Sequence, residues 1–330
     1  MVPPRLVRRL VFAPVLIALA VVVVVLTPLL LLVGLVASHG RHRVLRVTVT
    51  AVAWLVLEAA TVLSALALWI TGNGSRRERY YALCGWLLAR LHSVATRVFG
   101  LVVEVQEPLN ASSDRPVIVL SRHAGPGDSL LVVHFLINVY GRRPRIVLKA
   151  ALRLDPALDA VLGRLPNAFV PGSGAPRERA VTEIERLATD LDRGDAILIF
   201  PEGGKFTPHR RVRAIHRLRR QGRRTEAERA RKMPNLLPPH VTGTLAAIKA
   251  APTADVIFVA HTGVDDLMSV GDVWRAIPMR QPLRARWWRV PYEDIPAEDR
   301  ERWLYDWWKT IDAWIADNRP AAPEDRPIAG

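Results

Sequence analysis

The stretch Val117-Ile-Val-Leu-Ser-Arg-His123-Ala-Gly-Pro-Gly-Asp128-Ser-Leu-Leu-Val-Val133 decides the fold. Val117–Leu120 is a short β-like apolar run, a Gly/Pro-rich loop follows, and Asp128-Ser129 opens a helical pattern that reaches Tyr140. Strand, short loop and helix together form the repeating unit of an α/β protein. The loop carries a base, His123, and a carboxylate, Asp128. Its Gly/Pro content lets the chain turn back so that the two side chains meet, and a carboxylate on one ring nitrogen fixes the tautomer of a histidine.

About 80 residues further on, Phe200-Pro-Glu-Gly-Gly-Lys205 follows the apolar run Ala196–Ile199. Loops at strand ends are where α/β folds hold ligands. Consecutive glycines allow close backbone approach, and free N–H groups there cradle an anion. Glu202, Gly203, Gly204 and Lys205 are therefore the candidate binding group, with Lys205 the cation suited to phosphate. A second string, His261-Thr-Gly-Val-Asp-Asp266, has the same His-x4-Asp spacing as the first. No acidic-glycine turn follows it, so His261 is read as a polar residue at a strand end.

The rest of the chain repeats the alternation. Leu101–Val105, Arg145–Leu148, Ala168–Val170, Ala196–Phe200, Val256–Ala260 and Leu283–Val290 read as strands. Helical patterns lie at Tyr80–Phe99, Pro176–Asp192, His240–Lys249 and Ala297–Asn318. The expected fold is α/β, with a mostly parallel central sheet flanked by helices. In the last helix Leu304, Trp307, Trp308, Ile311, Trp314 and Ile315 share a face, which favours core packing over a bilayer-interface belt.

Two apolar runs precede this domain. Val11–Ala37 carries no charge and is long enough to cross a hydrocarbon core of roughly 30 Å. Val47–Gly72 contains one carboxylate, Glu58, expected to be protonated or turned toward the first helix. Residues 1–76 thus read as a two-helix membrane anchor and 77–330 as the catalytic domain, with Asn73–Arg79 marking the boundary. Arginines before, between and after the apolar runs favour a cytoplasmic N-terminus and a catalytic domain on the cytoplasmic face of the cell membrane. Abundant Arg, Ala and Val point to a GC-rich bacterial source and hence the bacterial inner membrane. Spanning and monotopic insertion both remain open.

The net charge of +15 is unevenly placed. Lys205–Lys232 holds twelve Lys or Arg against Glu226 and Glu228, a net +10, and reads as a basic helical insertion around 205–232. No nucleic-acid recognition motif or aromatic interleaving accompanies it, so no nucleic-acid partner is expected. Attraction to anionic membrane lipid comes first, a solvated helical face second and the phosphates of CoA third. The single cysteine, Cys84, excludes an intrachain disulfide and a cysteine-rich metal site, and its apolar neighbours mark it as buried. No metal or cofactor is expected.

The order His123-x4-Asp128, then Phe200-Pro-Glu-Gly203, resembles the lysophospholipid and 1-acylglycerol-3-phosphate acyltransferase family over roughly residues 80–318. The segments Leu237-Pro-Pro-His-Val-Thr-Gly243, Trp288-Arg-Val-Pro291 and Trp303-Leu-Tyr305 look closer to its lysocardiolipin acyltransferase branch. The resemblance implies a membrane-bound O-acyltransferase. Acyl-CoA or acyl carrier protein would be the donor, and a lysophospholipid the acceptor, foremost 1-acyl-sn-glycerol-3-phosphate going to phosphatidate. Another lysophospholipid or a glycolipid is an alternative acceptor. His123 would be the base, Asp128 its orienting group, and Glu202 and Gly203 part of the acceptor phosphate site. Three positions depart from the family pattern: Arg122 stands where Asn is common, Gly204-Lys205 replaces Thr-Arg, and Phe169-Val-Pro-Gly172 lacks the usual phosphate-binding Arg. Arg164, Arg177 and Arg179 are candidates to replace that Arg. A non-catalytic protein that binds anionic lipid is the reading from another class. A serine hydrolase is disfavoured because the nearest string to a nucleophile elbow is Pro171-Gly-Ser-Gly174.

Overall fold

The computed structural model describes residues 2–38, 40, 42–72, 77–107, 115–125, 127–170, 177–267 and 269–320, without the side chain of Arg177. The strands are β1 (Val103–Gln106), β2 (Val117–Ser121), β3 (Arg143–Lys149), β4 (Ala168–Val170), β5 (Asp195–Ile199), β6 (Asp255–Thr262) and β7 (Leu283–Val290). They form one sheet in the order β1-β7-β6-β2-β5-β3-β4. The five strands from β6 to β4 are parallel, whereas β7 runs antiparallel to β6 and β1 runs parallel to β7. The sheet is mixed but mostly parallel, as the alternation of strands and helices predicts.

Every residue of β2, β5 and β6 is buried, because helices cover both sheet faces. The pleat sends successive side chains to opposite faces. Ile118, Leu120, Ile197, Ile199, Val256, Phe258 and Ala260 enter one core. Val117, Val119, Ala196, Leu198, Ile257 and Val259 enter the other.

The first face packs against the helices Arg177–Ala188, Pro208–Arg220, Arg224–Arg231, Val241–Ala250 and Arg300–Asn318. Leu304, Trp308, Ile311 and Ile315 of the last helix are fully buried there, and Trp307 stacks on Phe258 with centroids 4.6 Å apart. Each such side chain contributes roughly 1.5–3 kcal/mol when fully buried. Core packing is the observed fate of that aromatic face. The basic insertion is a helical hairpin that sends Ile215, Leu218, Ala227 and Ala230 into the same core.

The second face packs against the helices Arg77–Phe99, Asp128–His134 (which continues as a π-turn over Phe135–Val139) and Pro156–Leu162. Cys84 is buried here, and burial pushes its thiol up to about 12. The N-terminal apolar helices also dock on this face. They cover Arg5–Val36 and Arg43–Ile70, and both are long and apolar enough to cross a membrane. The basic hairpin and the apolar pair are thus on opposite sides of the sheet.

The N-terminal pair is tied to the domain by polar contacts. Arg8 Nη2 and Nε reach the two oxygens of Asp159 at 2.9 and 3.2 Å, with both side chains buried. Arg43 Nε donates to the carbonyl of Ile277 at 2.9 Å. Glu58 is buried beside Asp155 and the backbone of Ala157, at the start of Pro156–Leu162. It therefore faces the globular domain rather than the first helix. The expected boundary at Asn73–Arg79 begins in residues outside the described ones.

Candidate active site

Because β6, β2 and β5 are parallel neighbours, their carboxyl ends open side by side. The loop after β2 holds His123, the turn after β5 holds Glu202, and the last two residues of β6 are His261 and Thr262. The strand order gathers these groups at one edge.

The first loop folds back on itself. His123 Nδ1 is 2.9 and 3.0 Å from the two oxygens of Asp128. Asp128 Oδ2 also accepts from the N–H groups of Ala124 and Gly125 at 2.7 and 3.1 Å, and Oδ1 accepts from Ser129 N–H at 2.6 Å. Gly127, at φ 80°, lies in the left-handed region that lets the chain enter the helix directly at Asp128. Burial works upward on the Asp128 carboxyl. The hydrogen bond from His123, the electrostatic pull of the His261 and His123 rings and the Gly125 N–H outweigh it and hold the group below its ordinary value. With Nδ1 engaged by a carboxylate, Nε2 is the ring nitrogen left for a reaction. The His123 side chain is 24% exposed, against 1% for Asp128.

The second turn closes on the first. Glu202 is buried, and its Oε1 accepts the main-chain N–H of His123 at 3.0 Å. Its Oε2 accepts the N–H of Leu237 at 2.9 Å. Burial pushes this carboxyl up to about 7, against the Arg122 charge and the two N–H groups. Phe206 N–H donates to the carbonyl of His123 at 2.6 Å, so His123 is gripped at both main-chain groups. Gly203 has φ 66°, and a Cβ there would come within 2.7 Å of the His240 ring. Arg210 packs against Gly204 and donates to the carbonyl of Lys205 at 3.0 Å.

The remaining candidates separate. Lys205 stays with the turn, and its Nζ donates to the carbonyl of Leu267 at 3.0 Å. Arg164 lies over the ring of Tyr80, 5.8 Å from its centroid, on the face where the N-terminal helices dock. The side chain of Arg177 and the residues Pro171 to Gly174 lie outside the described ones.

Several contributors escape the motif reading. Arg122 is fully buried, pairs with Asp265 Oδ1 at 2.7 Å and donates to the carbonyls of His261 and Asn235 at 2.6 and 3.2 Å. Burial works upward on Asp265, but Arg122 and the Thr262 hydroxyl hold it down at about 2. His261 is at a strand end, as expected, yet its Nε2 is 3.7 Å from Asp128 Oδ2. The signal for Asp265 and His261 was the second His-x4-Asp string, and that for Arg122 was its standing where Asn is common. Leu237, Phe206, His240 and Arg210 act through backbone or packing, which no motif announces. Among the described residues no group of three or more His, Cys, Asp or Glu is gathered as a metal ion would need.

Residues 102–259 match the family model described as Acyltransferase, a stretch that includes His123, Asp128 and the 200–205 turn. Among solved structures, the chain is similar to that of the 1-acyl-sn-glycerophosphate (LPA) acyltransferase PlsC from Thermotoga maritima. The match has 16% sequence identity and a TM-score of 0.47, and covers 83% of this chain and 100% of that one. No curated protein matches.

Proposed function

We propose that this chain, acyltransferase-like over residues 102–259, moves a fatty acyl group from a thioester donor to the free hydroxyl of a lysophospholipid. The preferred donor is acyl-CoA, with acyl carrier protein the alternative. The preferred acceptor is 1-acyl-sn-glycerol-3-phosphate, which gives phosphatidate. The apolar N-terminal helices would hold the catalytic domain at the cytoplasmic face of the membrane, where such an acceptor resides.

The observation that carries this reading is the His123–Asp128 pair, with Nδ1 held by both carboxylate oxygens. His123 Nε2 takes the proton of the acceptor hydroxyl as that oxygen attacks the thioester carbonyl. The tetrahedral intermediate then collapses, the C–S bond breaks, and the proton passes to the departing thiolate. No enzyme nucleophile is needed, because the substrate hydroxyl serves. A base positioned in this way contributes typically ~10²–10⁴-fold. The Gly203 N–H is taken by the Phe200 carbonyl at 2.9 Å, so the Gly204 end of the turn and Lys205 supply donors for the acceptor phosphate, and Glu202 supports the loop that carries the base.

The test is transfer of labelled acyl-CoA to a panel of lysophospholipids by the full chain in detergent or vesicles. The parent should acylate lysophosphatidate, and His123→Ala should lose at least ~10²-fold in turnover while staying in the membrane fraction. Near-normal transfer by that variant would remove His123 from the mechanism.

A further inference from the structure

The two His-x4-Asp strings in this chain meet in space. His261, from the second, is 97% buried, and its Nε2 lies 3.2 Å from the carbonyl of Arg122 and 3.7 Å from Asp128 Oδ2. A carbonyl can only accept, so Nε2 carries the hydrogen and the neutral ring leaves Nδ1 bare. Nδ1 has no hydrogen-bond partner, in keeping with the apolar cavity that His261 lines with Leu131, Phe135, Val259 and Trp287. Burial and the Arg122 charge both work against a proton on this ring, opposed by Asp128 and Asp265.

His261 and Arg122 are bonded in both directions. Arg122 Nη1 donates to the carbonyl of His261, and His261 Nε2 donates to the carbonyl of Arg122. Arg122 is the residue immediately before the base. Asp265 fixes the guanidinium at 2.7 Å and is itself fixed by the Thr262 hydroxyl at 2.6 Å and the Gly263 N–H at 3.0 Å. The second string is therefore a brace that reaches the first from β6.

We propose that His261 is a positioning residue for the reaction: its Nε2–H, held between the Arg122 carbonyl and Asp128, fixes the carboxylate that orients His123. The contact with Asp128 is beyond hydrogen-bond length, so it acts through the positive end of the N–H dipole and by filling space behind the carboxylate. His261 touches no reacting atom. The charged groups around this arrangement are His123 and Arg122 on the first loop, Asp128 on its helix, Glu202 after β5 and Asp265 after β6.

The inference rests on the acyl-transfer reading for its kinetic arm only. In that arm, His261→Leu lowers kcat by about tenfold with KM for both substrates within twofold, and His261→Gln, which keeps an N–H near the Nε2 position, recovers most of the loss. The second arm is nuclear magnetic resonance of the full chain in detergent micelles, read without any substrate. The parent should show a downfield His123 Nδ1–H resonance from the bond to Asp128. That signal should shift or broaden in His261→Leu and return in His261→Gln. A His123 signal unchanged in His261→Leu, or equal losses in the Leu and Gln variants, overturns the proposal. Should the Leu variant fail to fold, the parent still decides, because a His261 ring protonated at Nδ1 is incompatible with it. A parent that transfers no acyl group but gives the expected resonances sinks the acyl-transfer reading and leaves the brace standing.

Discussion

Glu202 holds His123 by its main chain: Oε1 accepts the His123 N–H at 3.0 Å while Oε2 accepts that of Leu237 at 2.9 Å. The carboxylate of the second motif thus bridges the His123 loop and the segment that leads into Val241–Ala250. Glu202→Gln keeps the shape but replaces one acceptor with an NH₂ that must face an N–H. Either His123 or Leu237 loses its partner, at about 1–3 kcal/mol for a buried unsatisfied group. Turnover in the labelled transfer assay should fall by about tenfold to a hundredfold, and the acceptor KM should change less than kcat. A rise in acceptor KM with kcat intact would move Glu202 into the acceptor site.

The same carboxyl carries a pH signature. Burial raises it from an ordinary 4.5 to about 7, so between those values the folded chain keeps a proton that the unfolded chain has lost. Its contribution to stability is complete below about pH 4.5 and fades as pH rises through 7. His134, His92 and His261 are all lowered by burial and act in the opposite sense over part of this window. The difference between parent and Glu202→Gln isolates the one group. Thermal unfolding in detergent at pH 4.5, 6 and 7.5 should show the parent losing stability relative to Glu202→Gln as pH rises. Parallel curves would mean that Glu202 is ionised throughout.

Lys205 puts Nζ on the carbonyl of Leu267 and keeps two further donors on the same ammonium. As the cation of the turn, it should hold an acceptor phosphate. Lys205→Ala should raise the KM for lysophosphatidate more than that for acyl-CoA, a loss of about 1.5–3 kcal/mol for a hydrogen bond to a charged group. If acyl-CoA alone weakens, the cation belongs to the donor. Arg164, over Tyr80, and Arg177 and Arg179 are then the next acceptor ligands to substitute.

Arg8 and Asp159 are both buried and bonded through two nitrogens. Removing one partner leaves the other charge buried and alone. Asp159→Ala should therefore destabilise the detergent-solubilised chain by about 3–5 kcal/mol, and Arg8→Leu with Asp159→Leu by much less. Comparable unfolding midpoints for the single and double variants would show that the pair is solvated in solution.

β2, β5 and β6 were legible because buried parallel strands read as continuous apolar runs, while β1, β3 and β7 mix apolar with charged positions; all seven appear within a few residues of their expected bounds. The helices Pro156–Leu162 and Val270–Ala276 were not, since seven residues give too few turns for a periodic face. His123 and Asp128 meet as their spacing and Gly content anticipate. His261 did not stand out, because its nearness to Asp128 depends on β6 lying beside β2, and spacing along a chain carries no strand order. The contact of Glu58 is hidden for a related reason: its neighbour Asp155 comes from a helix start about a hundred residues away.

The docking of the second apolar helix has a consequence for biosynthesis. Its buried face, from Glu58 through Ala65, packs on elements that include Pro156–Leu162, roughly a hundred residues downstream. At a synthesis rate of about 5–20 residues per second, that face waits some 5–20 s for its partner. During the wait, lipid or the first apolar helix must cover Ala59, Val62 and Ala65. Pairing of the two apolar helices ahead of the downstream fold would shelter the surface on which that fold later closes. A chain started after residue 76 would lack the helix that fills this contact, and Asp159 would have no Arg8. Such a fragment should precipitate as it emerges from the ribosome rather than yield a working soluble enzyme.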